Sequence, residues 1–159
     1  MEKNIMQEPG ALNKVAEFHR TFKHPIIETP IIPSKQRCEL RVSLLTEEVK
    51  ELQAAINDNN LTEIADALCD IQYVLAGAIL EFGLGEKFKS LFDEVHRSNM
   101  SKACKTIEEA YETINYYKIN ESCDADFKEE GGLFLVYRTI DHKVLKSVNY
   151  SPADLQSIL

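Results

Sequence analysis

Residues 64–80 read IADALCDIQYVLAGAIL, and this stretch decides the fold. One apolar stripe recurs in it at helical spacing: Ile64, Leu68, Ile71, Leu75 and Ile79. The opposite side is also apolar, and the only charged residues are Asp66 and Asp70. A helix that is apolar all round is normally buried by neighbouring helices, often including those of another subunit. The stretch therefore predicts the central helix of a bundle and self-association of the chain.

Helix signals continue on both sides of this stretch. Periodicity and capping residues predict five helices, at 11–22, 34–56, 61–82, 86–99 and 106–117. Asn60 with Glu63, and Thr106 with Glu109, have the spacing of capping boxes. Three prolines at positions 25, 30 and 33 predict an extended connector before the second helix.

The C-terminal part of the sequence changes character. Residues 132–139 and 143–148 predict two strands of a hairpin, and Ser151-Pro152 predicts the start of a short last helix. The predicted fold class is all-α, a four- to five-helix bundle with a small C-terminal β-hairpin. We expect residues 1–118 to form the helical part and residues 119–159 to form an appendage of the same domain.

Composition excludes several classes of protein. The chain has 159 residues, of which 44% are apolar, which suffices for one compact domain. It has 26 acidic and 18 basic residues, a net charge of −8, and no polybasic run. This argues against nucleic acid and anionic membranes as partners. No stretch has the length of a signal peptide core or a membrane span, which predicts a cytoplasmic protein. The four cysteines lack zinc-site spacing and are expected to be reduced.

Two groups of acidic residues require an explanation. Glu47, Glu48 and Glu51 crowd one patch of the second predicted helix, and an exposed acidic surface explains them equally well. On the third helix, Glu63 fits a helix cap and Asp66 an opening turn, but Asp70 lies too deep for either explanation. Carboxylates in such apolar surroundings must be paired, protonated or bound to a metal.

Two antiparallel helices joined by a short turn would face these acids toward each other as an oxygen-only cage. Hard Mg²⁺ or Mn²⁺ suits such ligands, whereas zinc would require His or Cys. A ferritin-like di-iron site is disfavoured, because none of the four histidines has a glutamate three residues before it.

Three segments together resemble a known superfamily. EEVKE (47–51), EIAD (63–66) and EVHRSNMSK (94–102) are similar to the signature of MazG-like, all-α nucleoside triphosphate pyrophosphohydrolases. That superfamily includes dimeric dUTPases and phosphoribosyl-ATP pyrophosphohydrolases, and the last segment resembles the phosphoribosyl-ATP branch. The resemblance covers roughly residues 12–105.

The resemblance implies hydrolysis of a nucleoside triphosphate, in the first instance a deoxynucleotide, to the monophosphate and pyrophosphate. It implies Mg²⁺ ligands at four positions: Glu48, Glu51, Glu63 and Asp66. Glu47 would orient or deprotonate the attacking water, and Asp70 would be a supporting acceptor or further ligand. Asn99 and Lys102 would bind substrate phosphates. The resemblance also implies a homodimer or homotetramer.

Two alternatives remain open at this point. One is phosphoribosyl-ATP hydrolysis, which uses similar helices and metals. The other is a non-catalytic helical binding module whose acids form a solvated or partner-facing surface. Other residues receive structural interpretations: Arg37 and Arg41 are expected on the surface, and His19, Phe22 and Tyr73 in the core.

Overall fold

The computed structural model describes residues 6–159. In this part of the chain five α-helices precede two β-strands: α1 Ala11–Phe22, α2 Lys35–Asn57, α3 Leu61–Glu81, α4 Phe88–Met100, α5 Ile107–Glu121, β1 Ala125–Glu130 and β2 Leu133–Arg138. The prediction of an all-α fold with a small C-terminal hairpin is confirmed. No helix among the described residues is long and apolar enough to cross a bilayer.

The chain divides into two compact units, one ending at Phe88 and one beginning at Lys89. This division lies earlier than the boundary predicted at residue 118. Its physical reason is that α5 packs against β1 and β2, so the last helix belongs with the hairpin. The assignment of residues 1–118 and 119–159 to parts of one domain stays a prediction.

The first unit contains a helical hairpin of α2 and α3. The Ser34 hydroxyl accepts a hydrogen bond from the Arg37 amide at 3.4 Å, which caps α2 as predicted. The Asn60 side chain accepts hydrogen bonds from the Thr62 and Glu63 amides at 3.2 and 3.3 Å, which caps α3. Only residues 58–60 connect the two helices, and so short a loop makes them antiparallel neighbours.

The buried face of α3 differs from the predicted stripe. Half of its six buried positions carry alanine or glycine: the six are Ala67, Ala76, Gly77, Ile79, Leu80 and Glu81. By contrast, Leu68 is 51% exposed and Leu75 is also exposed in the single chain. The reason is that α1 and α2 pack on the side of α3 that carries the small residues. Burial of these two leucines by another subunit stays a prediction.

The predicted extended connector lies along the end of α3. The Ile27 amide donates to the Leu80 carbonyl at 3.0 Å, and the Ile31 amide donates to the Phe82 carbonyl at 3.1 Å. At Gly83 the backbone has a φ of +69°, and a Cβ there would lie 2.0 Å from the Thr29 carbonyl oxygen. Only glycine fits this position, because both the dihedral angle and the close approach exclude a side chain.

The second unit contains a hairpin with a different partner strand from the one predicted. β1 pairs antiparallel with β2, from Ala125 opposite Arg138 to Glu130 opposite Leu133. Gly131 and Gly132 form its two-residue turn, both with positive φ, as such turns require. Residues 143–148 are therefore not the second strand, and join the sheet only through a bridge from Val144 to Tyr137.

The predicted last helix is absent from residues 151–159, which contain a turn instead. The Ser151 hydroxyl accepts a hydrogen bond from the Arg97 side chain at 3.0 Å. Arg97 also donates to the Pro152 carbonyl at 3.0 Å, and the Asp154 amide donates to Glu94 at 2.8 Å. Side chains of α4 therefore hold this segment in a non-helical conformation.

Candidate active site

The six predicted acidic residues lie on the two helices of the α2–α3 hairpin. On α2, Glu48 is half-buried, and Glu47 and Glu51 are exposed. On α3, Glu63, Asp66 and Asp70 are all exposed. Helical spacing places Asp66 and Asp70 one turn apart, and it places Glu63 one turn before Asp66.

Glu48 is the point at which the two groups meet. Burial of its carboxyl raises its pKa, and four neighbouring carboxylates raise it further: Glu51, Asp70, Glu47 and Asp66. Two of these neighbours belong to α3, so the hairpin brings acids from both helices within electrostatic range of each other. Glu63 lies at the outer end of this acidic cluster, in the first turn of α3.

The acidic cluster has no internal counter-charge. Within the described part of the chain, none of the six carboxylates forms an ion pair with a lysine or arginine. Nor does any group of three or more His, Cys, Asp or Glu side chains in residues 6–159 form a metal-binding arrangement. The predicted assignment of metal ligands therefore stays a prediction. The donor set still fits a hard cation, because Glu48 meets four like charges and only oxygen ligands are present.

The two buried carboxylates outside this cluster in residues 6–159, Glu109 and Glu81, have hydrogen-bond or ion-pair partners. Glu109 of α5 accepts hydrogen bonds from the Ser147 hydroxyl and from the Lys105 amide, the latter at 2.9 Å. Burial by itself raises the Glu109 pKa, but these hydrogen bonds outweigh it, so the net effect is a lowered pKa. Glu48 shows the opposite shift, which distinguishes the acidic cluster from a structural carboxylate.

Glu81, at the end of α3, is the second satisfied carboxylate. It is 1% exposed and forms ion pairs with Arg37 and Arg41 of α2. Burial raises its pKa, but hydrogen bonds from the two arginines lower it by more. Arg41 is 8% exposed, so its predicted surface position is wrong: the buried charge of Glu81 holds it inside. The sequence did contain a signal, since an acid in the last turn of a helix opposes the helix dipole and calls for a cationic partner.

His19 of α1 adjoins this ion pair. Its Nδ1 donates to the Pro25 carbonyl at 2.8 Å, and Arg41 donates to its Nε2 at 3.4 Å. Burial lowers the His19 pKa, and the Arg41 charge lowers it further. The prediction of His19 as a core residue is confirmed, whereas the same prediction for Phe22 is wrong, since its ring is exposed.

A cavity of about 200 Å³ opens between α1, α2 and α3. Aromatic rings line it: Phe18 stacks on His24 at 5.7 Å and meets the edge of Tyr73 at 5.6 Å. Tyr73, predicted in the core, is 40% exposed here. The Nε atom of Arg41, another lining residue, is buried without a hydrogen-bond partner.

The cavity adjoins the acidic cluster along both helices. Leu44 and Val74 also line it. Leu44 lies four residues before Glu48, and Val74 lies four residues after Asp70, which is about one turn in each helix. A ligand bound at Glu48 and Asp70 therefore has an aromatic cavity within reach of its remaining part.

A family model described as phosphoribosyl-ATP pyrophosphohydrolase matches residues 15–99, more than half of the chain. The chain belongs to this family. It is also similar to Uncharacterized protein L479 of Acanthamoeba polyphaga mimivirus, with 25% identity. That alignment covers 91% of this chain and 94% of the viral protein.

Membership of the phosphoribosyl-ATP pyrophosphohydrolase family implies nucleotide pyrophosphohydrolase activity in general. All six acidic residues lie within the matched range, which ends at Asn99 and leaves Lys102 outside it. In the second unit, the Lys102 Nζ donates to the Asn99 side-chain oxygen at 2.7 Å. Asn99 is exposed and Lys102 is half-buried.

Proposed function

We propose that this protein hydrolyses a nucleoside triphosphate, a deoxynucleotide in the first instance, to the monophosphate and pyrophosphate with Mg²⁺. The observation that carries the proposal is the α2–α3 hairpin, which brings Glu48 of α2 near Asp66 and Asp70 of α3. A bound cation would relieve the repulsion among these carboxylates, and a triphosphate approaches carboxylates only through bridging divalent ions. Family membership supports the same reaction class.

We propose that Glu48, Glu51, Glu63 and Asp66 hold the metal, with Mn²⁺ as an alternative to Mg²⁺. Asp70 lies one turn beyond Asp66 on α3, where its carboxylate is suited to orienting a ligand. When bound, the metal supplies charge neutralisation for the triphosphate and the leaving pyrophosphate and lowers the pKa of a bound water. The protein's contribution is to hold these carboxylates on two helices rather than on loops.

Glu47 is proposed as the general base. It is exposed on α2, beside Glu48 and one turn before Glu51, so its carboxylate oxygen is open to solvent. A carboxylate that is not itself a ligand accepts the proton from the attacking water.

We propose that Asn99 and Lys102 bind phosphate oxygens of the substrate, because amide and ammonium groups donate hydrogen bonds to them. We assign the reaction to the cytoplasm.

The aromatic cavity is proposed to receive the base of the nucleotide. Phe18 and Tyr73 present ring surfaces on which a planar base can stack. The buried Arg41 Nε offers an unused hydrogen-bond donor on the same wall. A polar group on the base that accepts this hydrogen bond would remove the cost of leaving the donor unsatisfied.

One assay tests the reaction and separates its substrates. Purified protein is incubated with Mg²⁺ and, in parallel, dUTP, dCTP, the ribonucleoside triphosphates and phosphoribosyl-ATP, and released pyrophosphate is measured. We expect pyrophosphate release from at least one deoxynucleoside triphosphate and none in the presence of excess EDTA. Preference for phosphoribosyl-ATP, which the family description favours, would establish the alternative enzyme. Release from none of these compounds would indicate a non-catalytic binding module.

We also propose that the chain forms a homodimer or homotetramer. Val49 of α2 is 53% exposed and Leu68 of α3 is 51% exposed. Further apolar side chains on the same two helices are exposed: Val42, Ile56, Leu61 and Leu75. A surface with this many large apolar side chains is typical of a protein–protein interface.

Sedimentation velocity tests this assembly. We expect a dimer or larger species at micromolar concentration, and a shift to monomer in the double variant Val49→Ser/Leu68→Ser, because the polar side chains remove apolar area from the interface. Ile140→Ser, at an exposed apolar residue of the second unit, is the control and should not change the sedimentation coefficient. A wild-type monomer at tens of micromolar would contradict the assembly.

A further inference from the structure

The acids of α2 and α3 face each other only at one axial register of the hairpin. Neighbouring α-helix turns are about 5.4 Å apart, so sliding α3 by one turn would move Asp70 by that distance from Glu48. Residues 58–60 connect the two helices at one end of the hairpin, so the register at the open end, beyond Glu48 and Asp70, depends on side-chain contacts between α2 and α3. Repulsion among the carboxylates opposes the observed register.

The buried ion pair lies on the same faces of both helices as the acids. Arg41 precedes Glu48 by seven residues, and Gly77 follows Asp70 by seven residues, which is about two turns in each helix. Arg37 precedes Glu48 by eleven residues, and Glu81 follows Asp70 by eleven, which is about three turns. The acids and the ion pair are therefore separated by the same number of residues on both helices, so one axial alignment of α2 and α3 brings both sets of side chains together.

Gly77 has no side chain, and the Arg41 guanidinium occupies the space that a side chain would fill. A Cβ at this position would lie 2.7 Å from Nη1 of Arg41 and 3.1 Å from Nε2 of His19. The guanidinium is held there by Glu81 and by His19, so it cannot move aside without losing a partner. Other positions of the α3 contact face, such as Ala76 and Ile79, carry side chains that leave no equivalent space.

We propose that the Arg41–Glu81 ion pair, seated against Gly77, fixes the axial register of α2 against α3 and thereby holds Glu48 opposite Asp70 for metal binding. Arg41 and Glu81 are positioning residues, since they lie about two to three turns from the acids. Buried polar pairs have this role in other helical assemblies, where one such contact selects the register. The inference rests on the proposed function, because it assumes that the acidic cluster binds a divalent cation.

The test is Mn²⁺ binding, measured by electron paramagnetic resonance without nucleotide. Gly77→Ala should lower Mn²⁺ affinity by about tenfold or more, as for outer partners of metal ligands. The variant should still fold, because alanine is the better helix former. Gly85→Ala is the matched control: the added methyl meets only the flexible end of Leu80, at 3.3 Å, and affinity should not change. Adding Arg41→Lys to Gly77→Ala should restore most of the affinity, because a lysine keeps the charge and lacks the wide guanidinium.

A second variant covers the case in which Gly77→Ala does not fold. Glu81→Asp keeps the charge but withdraws the carboxylate from Arg41 by one methylene group, and it should also lower Mn²⁺ affinity about tenfold. A purely structural ion pair would lower only the melting temperature, so unchanged affinity in the folded variants would overturn the positioning role. Wild-type protein that binds no Mn²⁺ would instead contradict the proposed function, and with it this inference.

Discussion

Glu48→Gln is expected to reduce Mg²⁺-dependent pyrophosphate release by about 100-fold or more, because it removes the carboxylate at the centre of the proposed metal site. We expect the substitution to leave the fold unchanged. The amide has almost the same shape as the acid, and its neutrality relieves repulsion from Glu51, Asp70, Glu47 and Asp66. The apo protein should therefore be as stable as wild type or more stable by a few tenths of a kcal/mol.

Thermal unfolding with and without Mg²⁺ provides the second measurement. Wild type should gain stability from Mg²⁺, because a ligand that binds only the folded state raises its stability, and Glu48→Gln should lose most of this gain. Glu47→Gln should retain the gain but lose turnover if Glu47 is the base. Full activity of Glu48→Gln in folded protein would remove Glu48 from the site.

Glu81→Gln is expected to lower the free energy of unfolding by about 3 kcal/mol, near the low end of the range for breaking a buried ion pair. The substitution leaves Arg41, which is 8% exposed, without the carboxylate that neutralises it. Urea denaturation followed by circular dichroism measures the change. Glu39→Gln is the matched control on α2, where the pair with Lys35 is largely exposed and should contribute less than about 1 kcal/mol.

The same residue predicts a pH dependence. The folded state lowers the Glu81 pKa below its ordinary value of 4.5. Its contribution to stability is therefore complete above that value and is lost as the pH falls through the lower pKa of the folded state. Wild type should lose stability more steeply than Glu81→Gln below about pH 4.5. If the free energy of unfolding falls equally with decreasing pH in both proteins, Glu81 is not the titrating group.

Most helices of this fold were predictable because local signals determined their ends. Ser34 and Asn60 cap α2 and α3 where the sequence placed them. The sequence predicted the wrong partner strand because β1, ADFKEE, has fewer apolar residues than residues 143–148, although Gly131-Gly132 forms the turn. The last helix was wrong for a different reason: its cap, Ser151, is hydrogen-bonded to Arg97, a contact between residues that are distant in sequence.

The candidate site was predictable in part. Spacing along α2 and α3 identified the acids, since carboxylates one turn apart share a face of a helix. The Arg41–Glu81 pair was not found because its members lie on different helices, and their contact depends on the space above Gly77. The exposure of Leu68 in the single chain was not predictable, because periodicity identifies an apolar face but not the chain that covers it.

Glu109 has a consequence for synthesis of the chain on the ribosome. Its partner Ser147 lies 38 residues further along the chain, so the carboxylate oxygen that accepts from Ser147 lacks this donor until residue 147 has been translated. The Val148 amide likewise donates to Thr113 at 3.1 Å. By contrast, the partners of Glu81 precede it in the chain. Because the chain is synthesised from its N-terminus, α2 and α3 can form their buried ion pairs early, whereas the buried polar contacts of α5 form only after residues 147 and 148 have been added.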